Sequence, residues 1–144
     1  IIFPHAGPST LRAAVEALRG AGIVPIVGGE MTHAEYLQRS GGYIADDAPD
    51  DIYRAAASVG IQHFVVPGTR PERIRHYGEI LNSVGAELTF LFPGIGRGQG
   101  GDVTEAFSSA KPHRSFAIVG RGISAEIDPR QAALRIWAGA TGIQ

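Results

Sequence analysis

Residues 88–102 read LTFLFPGIGRGQGGD, and the order of residue types indicates a strand, a loop and a helix. An apolar run over Leu88–Phe92 is followed at once by a stretch in which five of the eight residues 94–101 are glycine. Asp102 and Glu105 then have the spacing of a helix N-cap pair. Backbone N–H groups in such a loop can approach an anion closely, and the helix N-terminus adds the positive end of its dipole.

The same succession of a short apolar run and a helical pattern occurs five times along the chain. The runs are continuous rather than alternating, which is typical of strands buried on both faces of a parallel sheet. The predicted strands are Ile1–Phe3, Ile23–Val27, Phe64–Val66, Leu88–Phe92 and Phe116–Val119. Pro49 and the pair Asp128-Pro129 are start signals for two of the helices. Five strand–helix units predict an α/β protein with a parallel sheet.

Composition limits the chain to one ordinary domain and excludes several classes of function. Its 144 residues are 44% hydrophobic and 19% charged, so we expect a packed core. The net charge of -1 argues against nucleic-acid binding, which needs clustered positive charge. No apolar run approaches the roughly 18 residues of a membrane span. The chain has no cysteine and its 5 histidines lack metal-ligand spacing, so we expect no disulfide, no metal site and a reducing compartment.

A second glycine-flanked signal, Gly120-Arg121-Gly122, follows the last predicted strand. An arginine there can direct two N–H donors to one phosphate. The two glycine-containing loops follow the last two predicted strands, and in (β/α)8 barrels the loops after the last two strands frequently form a phosphate site. The alternatives are a flexible loop without a ligand and a surface arginine in a turn. The positions of the two loops favour a phosphorylated small molecule.

Three features of the remaining sequence support further expectations. Glu30-Met31-Thr32-His33 follows the second predicted strand. Thr32 and His33 should therefore lie at the carboxyl ends of the strands, which we call the rim of the sheet, on the same side as the glycine loops. A short helix over Ala34–Arg39 is expected within the irregular segment 28–47. Three arginines near the start of the helix after residue 69 favour a salt-bridged outer face: Arg70, Arg73 and Arg75.

Five motifs together resemble the orotidine 5'-monophosphate decarboxylase family, in particular its short archaeal and microbial form. They extend over nearly the whole chain, and the last two are the most specific. The motifs are Phe3-Pro4-His5-Ala6-Gly7, Gly29-Glu30-Met31-Thr32-His33, Val66-Pro67-Gly68-Thr69-Arg70-Pro71-Glu72, residues 92–102, and Ile118-Val119-Gly120-Arg121-Gly122-Ile123. The resemblance implies a (β/α)8 TIM barrel of which residues 1–144 supply about five β/α units, strands four to eight, as the C-terminal part.

The resemblance also implies roles for individual residues. The side chains of Gln99 and Arg121 would hold the 5'-phosphate, and Gly120 and Arg121 would add backbone N–H donors. Thr32 stands where the family has a Ser or Thr that contacts the pyrimidine. Residues 93–101 would form the loop that closes over the nucleotide, with Pro93 and Ile95 on its apolar side. The implied substrate-binding residues are Thr32, Pro93, Gly94, Ile95, Gly96, Gln99, Gly100, Gly101, Gly120 and Arg121.

Three departures from the family pattern are visible. The loop is one residue longer at Gly96-Arg97-Gly98-Gln99, and Ser124 stands where a Tyr is frequent. The D-x-K-x-x-D motif that carries the family's chemistry is missing, and the single lysine of the chain is Lys111. In the family that Asp–Lys array precedes the strand matched by Ile1–Phe3. We therefore expect no catalytic residue in this chain, an array and strands one to three upstream of Ile1, and a fragment that is inactive alone.

The implied reaction is decarboxylation of orotidine 5'-monophosphate to UMP in pyrimidine biosynthesis, without a metal or organic cofactor, by a cytoplasmic homodimer. The expected partner is thus a nucleotide rather than nucleic acid or a membrane. Two alternatives stay open. One is a complete, non-catalytic module that binds a phosphate ligand. The other is a related barrel decarboxylase or aldolase of sugar phosphates, which would not be expected to carry Pro93-Gly94-Ile95-Gly96 followed by Gln99-Gly100-Gly101-Asp102.

Overall fold

Parallel strands in chain order form the centre of the molecule. The computed structural model describes residues 1–82, 87–96 and 100–141. The strands among these residues are β1 (Val27–Gly28), β2 (His63–Val65), β3 (Thr89–Pro93) and β4 (Arg114–Ile118). They lie in the order β1-β2-β3-β4, all parallel, and Ile2 adds a single parallel bridge to Val27. Each strand neighbours the next one in sequence, as in a singly wound barrel rather than a doubly wound sheet.

Helices connect the strands and pack against one another in chain order. The helices in the described ranges are α1 (Pro8–Gly20), α2 (Ala48–Ser58), α3 (Pro71–Asn82), α4 (Val103–Ala110), α5 (Arg121–Ser124) and α6 (Pro129–Thr141), with a 3-10 helix at Gln38–Ser40. Contacts run from α1 to α2, α2 to α3, α3 to α4 and α4 to α6. Together with the parallel sheet, this order confirms the predicted α/β class. Over the described part of the chain, none of the helices combines the length and apolarity needed to cross a bilayer.

Two helices begin with an N-cap hydrogen bond at the residue that the sequence predicts. The Asp102 carboxylate accepts the backbone N–H of Glu105 at 2.9 Å, at the N-terminus of α4. The Asp128 carboxylate accepts the backbone N–H of Gln131 at 3.0 Å, at the N-terminus of α6. Each bond satisfies a donor that the helix itself leaves unpaired, and such caps contribute about 1 kcal/mol. The cap at Asp102 also fixes where the glycine-rich loop ends.

Aromatic side chains from β2, β3, α2 and α3 fill the core. Tyr53, Phe64, Tyr77, Phe90 and Phe92 are fully buried. The rings of Tyr53 and Tyr77 lie 4.3 Å apart, and those of Phe64 and Phe90 lie 6.5 Å apart at a steep angle. Burial of each such side chain stabilises the fold by about 1.5–3 kcal/mol. The core therefore holds the carboxyl ends of the strands in fixed positions.

Three predicted elements differ from the structure. The predicted strand Ile1–Phe3 is reduced to the isolated parallel bridge between Ile2 and Val27. The predicted strand Ile23–Val27 is confined to Val27–Gly28, and Ile23 and Val24 are 53% and 64% exposed. The backbone N–H of Ile23 still bonds to Leu18 as part of the end of α1, so the chain reaches the sheet only later. The predicted helix over Ala34–Arg39 is replaced by a loop with the 3-10 turn, because Leu37 pairs with Ile44 across it.

Strand β4 has one uncovered face. Phe116 is 51% exposed and Ile118 is 40% exposed, although both are apolar and point to the same side of the strand. Among the described residues β4 also pairs with β3 alone, so its other edge has no neighbouring strand, and such an edge is normally covered or paired in a folded protein. The described residues thus form an open sheet rather than a closed barrel.

Candidate functional site

The carboxyl ends of three strands bring the predicted segments together. A Cβ atom added to Gly94 would lie 3.0 Å from the Thr32 Cγ2 and 2.9 Å from the Thr69 Cγ2. A Cβ atom added to Gly96 would lie 3.7 Å from the Cα of Gly122. The rim segment after β1, the loop after β3 and the loop after β4 are therefore direct neighbours. This end of a parallel sheet is where α/β proteins bind ligands.

The glycine-rich loop after β3 is closed at its base by two backbone hydrogen bonds. Gly96 donates its N–H to the carbonyl of Gly101 at 3.0 Å, and Gly101 donates its N–H to the carbonyl of Gly94 at 3.0 Å. A Cβ on Gly101 would lie 2.6 Å from the Gly94 carbonyl oxygen and 2.8 Å from that of Gly68, so only glycine fits there. We call these paired residues, 94–96 and 100–101, the loop base. Residues 97–99, and with them Gln99, lie outside the described residues.

The loop after β4 offers backbone donors beside an exposed arginine. Arg121 is exposed and starts the short helix α5 after Gly120. Within residues 1–82, 87–96 and 100–141, no backbone carbonyl accepts the N–H of Gly120 or Arg121. Among the described residues, no heavy atom lies within 4 Å of a Cβ added to Gly120, so these residues leave space for a ligand. Two backbone N–H groups and a guanidinium at one place can bind an anion.

An apolar cavity of about 230 Å³ adjoins these loops. Phe3, Thr32, Val65, Pro93 and Ile118 are among its lining residues. The structure places Pro93 at this cavity, whereas Ile95 is 2% exposed and packs in the core under the loop base. Thr32, Glu30 and His33 are the polar members of a lining that is otherwise apolar. An apolar cavity with few polar groups suits a flat ring that needs orientation at one edge.

A buried ionic cluster, which the sequence did not reveal, lies directly beneath this rim. Glu30 is fully buried at the end of β1, and its carboxylate accepts hydrogen bonds from Arg70, from the Arg73 Nε at 2.8 Å and from the Tyr77 hydroxyl. Arg73 also reaches Asp50 at 3.5 Å. We call Glu30, Arg70, Arg73 and Tyr77 the Glu30 cluster. A buried carboxylate needs such partners, because its isolated burial is strongly unfavourable.

The prediction of a salt-bridged outer face is therefore wrong for two of the three arginines at and near the start of α3. Arg70 and Arg73 turn inward to Glu30, and only Arg75 points outward, where it donates to Ser109 at 2.8 Å. The reason is topological: β2 lies beside β1, so the start of the helix that follows β2 stands over the end of β1. The signal in the sequence is an acidic residue two glycines after an apolar run, since burial of its carboxylate requires cationic partners.

Burial and the charge of Glu30 keep the surrounding tyrosines protonated. Burial, followed by the hydrogen bond to Glu30, raises the pKa of Tyr77 well above its usual range. Burial and the Glu30 charge raise the pKa of Tyr36 to about 12. Burial opposes the charged form of Arg73, but its hydrogen bond to Glu30 and the field of Tyr77 outweigh this and raise its pKa. Each tyrosine thus remains a hydrogen-bond donor at ordinary pH.

These groups also hold the backbone on both sides of Thr32. Tyr36 donates its hydroxyl to the Gly29 carbonyl at 2.9 Å, and the backbone N–H of Glu30 donates to the Tyr53 hydroxyl at 3.2 Å. On the far side, Arg70 donates its Nη2 to the His33 carbonyl at 3.0 Å. The main chain is thereby fixed before and after Thr32.

Comparison with known proteins assigns the chain to a family. The sequence profile of the orotidine 5'-phosphate decarboxylase / HUMPS family matches residues 1–136. The chain belongs to this family. A relative from Methanosarcina barkeri named orotidine 5'-phosphate decarboxylase is 35% identical over 141 residues, which are 96% of this chain and 57% of the relative. A relative of the same name from Pyrococcus abyssi is 34% identical over 137 residues, 95% of this chain and 58% of the relative.

Solved structures agree with this membership at the level of the fold. An orotidine 5'-monophosphate decarboxylase from Methanocaldococcus jannaschii, crystallised with the inhibitor BMP, superposes with a TM-score of 0.78 at 22% identity, over 96% of this chain and 59% of that one. The enzyme from Pyrococcus horikoshii OT3 gives a TM-score of 0.64 at 25% identity, over 94% and 69%. The predicted family resemblance and barrel fold class are confirmed. The chain spans a little over half the length of the curated relatives it matches.

Proposed function

We propose that the chain carries the nucleotide-binding loops of an orotidine 5'-monophosphate decarboxylase, which converts orotidine 5'-monophosphate to UMP. The observation that carries the proposal is the meeting of the loop base after β3 with the Gly120–Gly122 loop after β4, beside Thr32. Two glycine loops beside an exposed guanidinium suit a phosphate, and a hydroxyl in an apolar cavity suits a pyrimidine edge. Family membership supplies the substrate class.

In this proposal each part of the rim has a separate task. Arg121, with the N–H groups of Gly120 and Arg121, binds the 5'-phosphate, and Gln99 reaches it from the loop. Thr32 hydrogen-bonds the base, while Pro93 covers one face of it. Residues 94–101 close over the bound nucleotide, with Gly94, Gly96, Gly100 and Gly101 allowing the tight backbone path.

The chemical step needs groups outside this chain. When the C6–carboxyl bond breaks, CO2 leaves and the electron pair stays on C6 until a lysine delivers a proton. We propose that this lysine and its aspartate partners lie on three further β/α units, which complete a barrel with the five supplied here. The uncovered face of β4 and the coverage of 57% of the Methanosarcina barkeri relative support this arrangement. A homodimer and a cytoplasmic location belong to the same proposal, on the strength of the family alone.

The loops described here would assist that step from a distance. Binding the phosphate releases free energy that can close the loop and exclude water from the base. Such remote binding accelerates the reaction only if it is stronger in the closed, reactive state. The loop base supports this role because two backbone hydrogen bonds join its two ends to each other directly after β3.

The test is nucleotide binding by the purified chain, measured by calorimetry with UMP, uridine and ribose 5-phosphate. Arg121→Ala should weaken UMP binding about 10- to 100-fold, the value of a charged hydrogen-bond pair, and leave uridine binding unchanged. Arg114→Ala is the matched control, because Arg114 is an exposed arginine at the opposite end of strand β4. Equal losses of UMP and uridine, or no loss of UMP, would contradict the phosphate role.

The same titrations separate the two alternatives. A chain that binds ribose 5-phosphate as tightly as UMP would favour the sugar-phosphate barrel, because the base would contribute nothing. The enzyme and the binding module differ in turnover. In the protein completed by its Asp–Lys units, Arg121→Ala should lower kcat/KM for the nucleotide and barely change reaction of the phosphate-free nucleoside.

A further inference from the structure

We propose that Glu30 is a positioning residue for the nucleobase, acting through the backbone of residues 30–33 on Thr32. This rests on the proposed function, in which the Thr32 hydroxyl binds the base. Glu30 is one of the residues that line the cavity, but its side chain is 0% exposed. Its carboxylate is fully buried below the cavity and carries three hydrogen bonds from the rest of the Glu30 cluster.

The geometry links the carboxylate to Thr32 in two directions. Glu30 lies two residues before Thr32, so a fixed side chain at 30 fixes the start of the rim. Arg70 then joins the two ends of the segment, because one of its nitrogens bonds the Glu30 carboxylate and another bonds the His33 carbonyl at 3.0 Å. Thr32 therefore sits inside a short span whose two ends are held by one guanidinium.

The methyl group of Thr32 meets the loop base on the other side. The Thr32 Cγ2 would be 3.0 Å from a Cβ on Gly94, so the side chain has contact with the loop after β3. Contact on this side and hydrogen bonds below leave the hydroxyl little freedom to rotate or shift. Fixed geometry of this kind raises affinity because less freedom is lost on binding.

The charges in the cluster are suited to positioning rather than to stability. The carboxylate of Glu30 is 0% exposed, while the side chains of Arg70 and Arg73 are 24% and 15% exposed. Buried ion pairs add little net stability compared with apolar replacements, yet they tolerate few alternative geometries. Two guanidiniums and a tyrosine hydroxyl donate to one carboxylate. These directional bonds restrict the position of residues 30–33 more than apolar packing would.

The decisive variant is Glu30→Gln, which keeps the shape but removes the charge and one acceptor oxygen. The amide nitrogen of Gln then faces donors, so at least one of the three former partners loses its acceptor. We expect UMP affinity to fall about tenfold, within the range of coupling between contacting residues, while ribose 5-phosphate affinity stays within twofold. In a Thr32→Ala background the same change should have no further effect on UMP.

Two more variants keep the test decisive if Glu30→Gln fails to fold. Tyr77→Phe removes one of the three hydrogen bonds to Glu30, together with the bond that Arg73 donates to the Tyr77 hydroxyl. Both guanidiniums keep their bonds to Glu30, so we expect a smaller loss that again affects UMP alone. Arg75→Ala, on the same helix but bonded to Ser109, should change neither ligand. Circular dichroism and urea unfolding of each variant identify those that fold.

The outcomes separate this proposal from the proposed function. If the unmodified chain prefers UMP to ribose 5-phosphate but neither Glu30→Gln nor Tyr77→Phe changes that preference, the positioning role is wrong and the nucleotide site stands. Equal losses of both ligands, or losses that add to that of Thr32→Ala, also overturn the positioning role, since they indicate a general effect on folding. If the unmodified chain shows no preference for UMP, base recognition fails and the positioning role fails with it.

Discussion

Substitution of Gly101 by alanine should destabilise the protein, because the loop base leaves no space for a side chain. The added Cβ would lie 2.6 Å from the Gly94 carbonyl oxygen, 2.8 Å from the Gly68 carbonyl oxygen and 3.1 Å from the Ile95 Cδ1. Contacts between carbon and oxygen are ordinarily about 3.3 Å or longer. Both oxygens belong to the backbone, so neither can move aside as a flexible side chain would.

The size of the destabilisation depends on whether the chain tolerates the close contacts or moves residue 101 to relieve them. Overpacking of a rigid site costs about 1–3 kcal/mol. Movement of residue 101 would also strain its two hydrogen bonds at the loop base, which are worth about 1 kcal/mol each. We expect a loss of about 2–4 kcal/mol in the free energy of unfolding. With a urea m-value of about 2 kcal/mol/M, the unfolding midpoint falls by about 1–2 M.

Urea unfolding followed by circular dichroism measures this loss, and Gly20→Ala is the control. Gly20 ends helix α1, and no heavy atom of the described ranges lies within 4 Å of a Cβ added there. Alanine at a helical position is expected to be neutral or to stabilise by up to about 1 kcal/mol. A Gly101→Ala protein whose midpoint equals that of the unmodified protein would refute the steric argument and the loop-base geometry with it.

Three further predictions concern stability. Burial lowers the pKa of His113 in the folded state, so protonation below about pH 6.5 favours the unfolded state. His113→Gln should therefore reduce the loss in urea midpoint between pH 7.5 and pH 5. An unchanged pH dependence would contradict this. Phe64→Ala should cost about 3–5 kcal/mol in urea unfolding, whereas Tyr43→Ala, at a side chain that is 98% exposed, should cost little, and similar losses for both would argue against the described core. Asp128→Ala should remove the cap of α6 at a cost of about 1 kcal/mol, and a thermal unfolding curve that does not shift would show that the cap is not formed.

Local sequence signals predicted much of the fold. The helix starts at Asp102 and Asp128 depend on bonds across three residues, and both are made. Continuous apolar runs predicted the parallel strands for the same reason, because a strand between two layers shows its burial in its own residues. These features need no knowledge of what lies far away in the chain.

Long-range partners could not be predicted in the same way. Glu30 and Arg70 are forty residues apart, and their pairing depends on β1 and β2 being neighbours. The predicted start of β1 is also wrong, since Ile23 and Val24 have strand-like side chains but remain exposed while the chain leaves α1. In both cases the tertiary arrangement decided which of two locally plausible states was formed.

The two halves of the proposed site should respond differently to substitution because they are built from different kinds of group. The phosphate half consists of the Arg121 guanidinium, backbone N–H groups and glycines, so its precision depends on the path of the main chain, and added volume at Gly101 disturbs it. The base half depends on the single hydroxyl of Thr32, whose position is set by buried charges below it. Volume changes should therefore weaken phosphate binding, while removal of the Glu30 charge should weaken recognition of the base at unchanged phosphate affinity. A site held by one common rigid core would show both losses together for either kind of change.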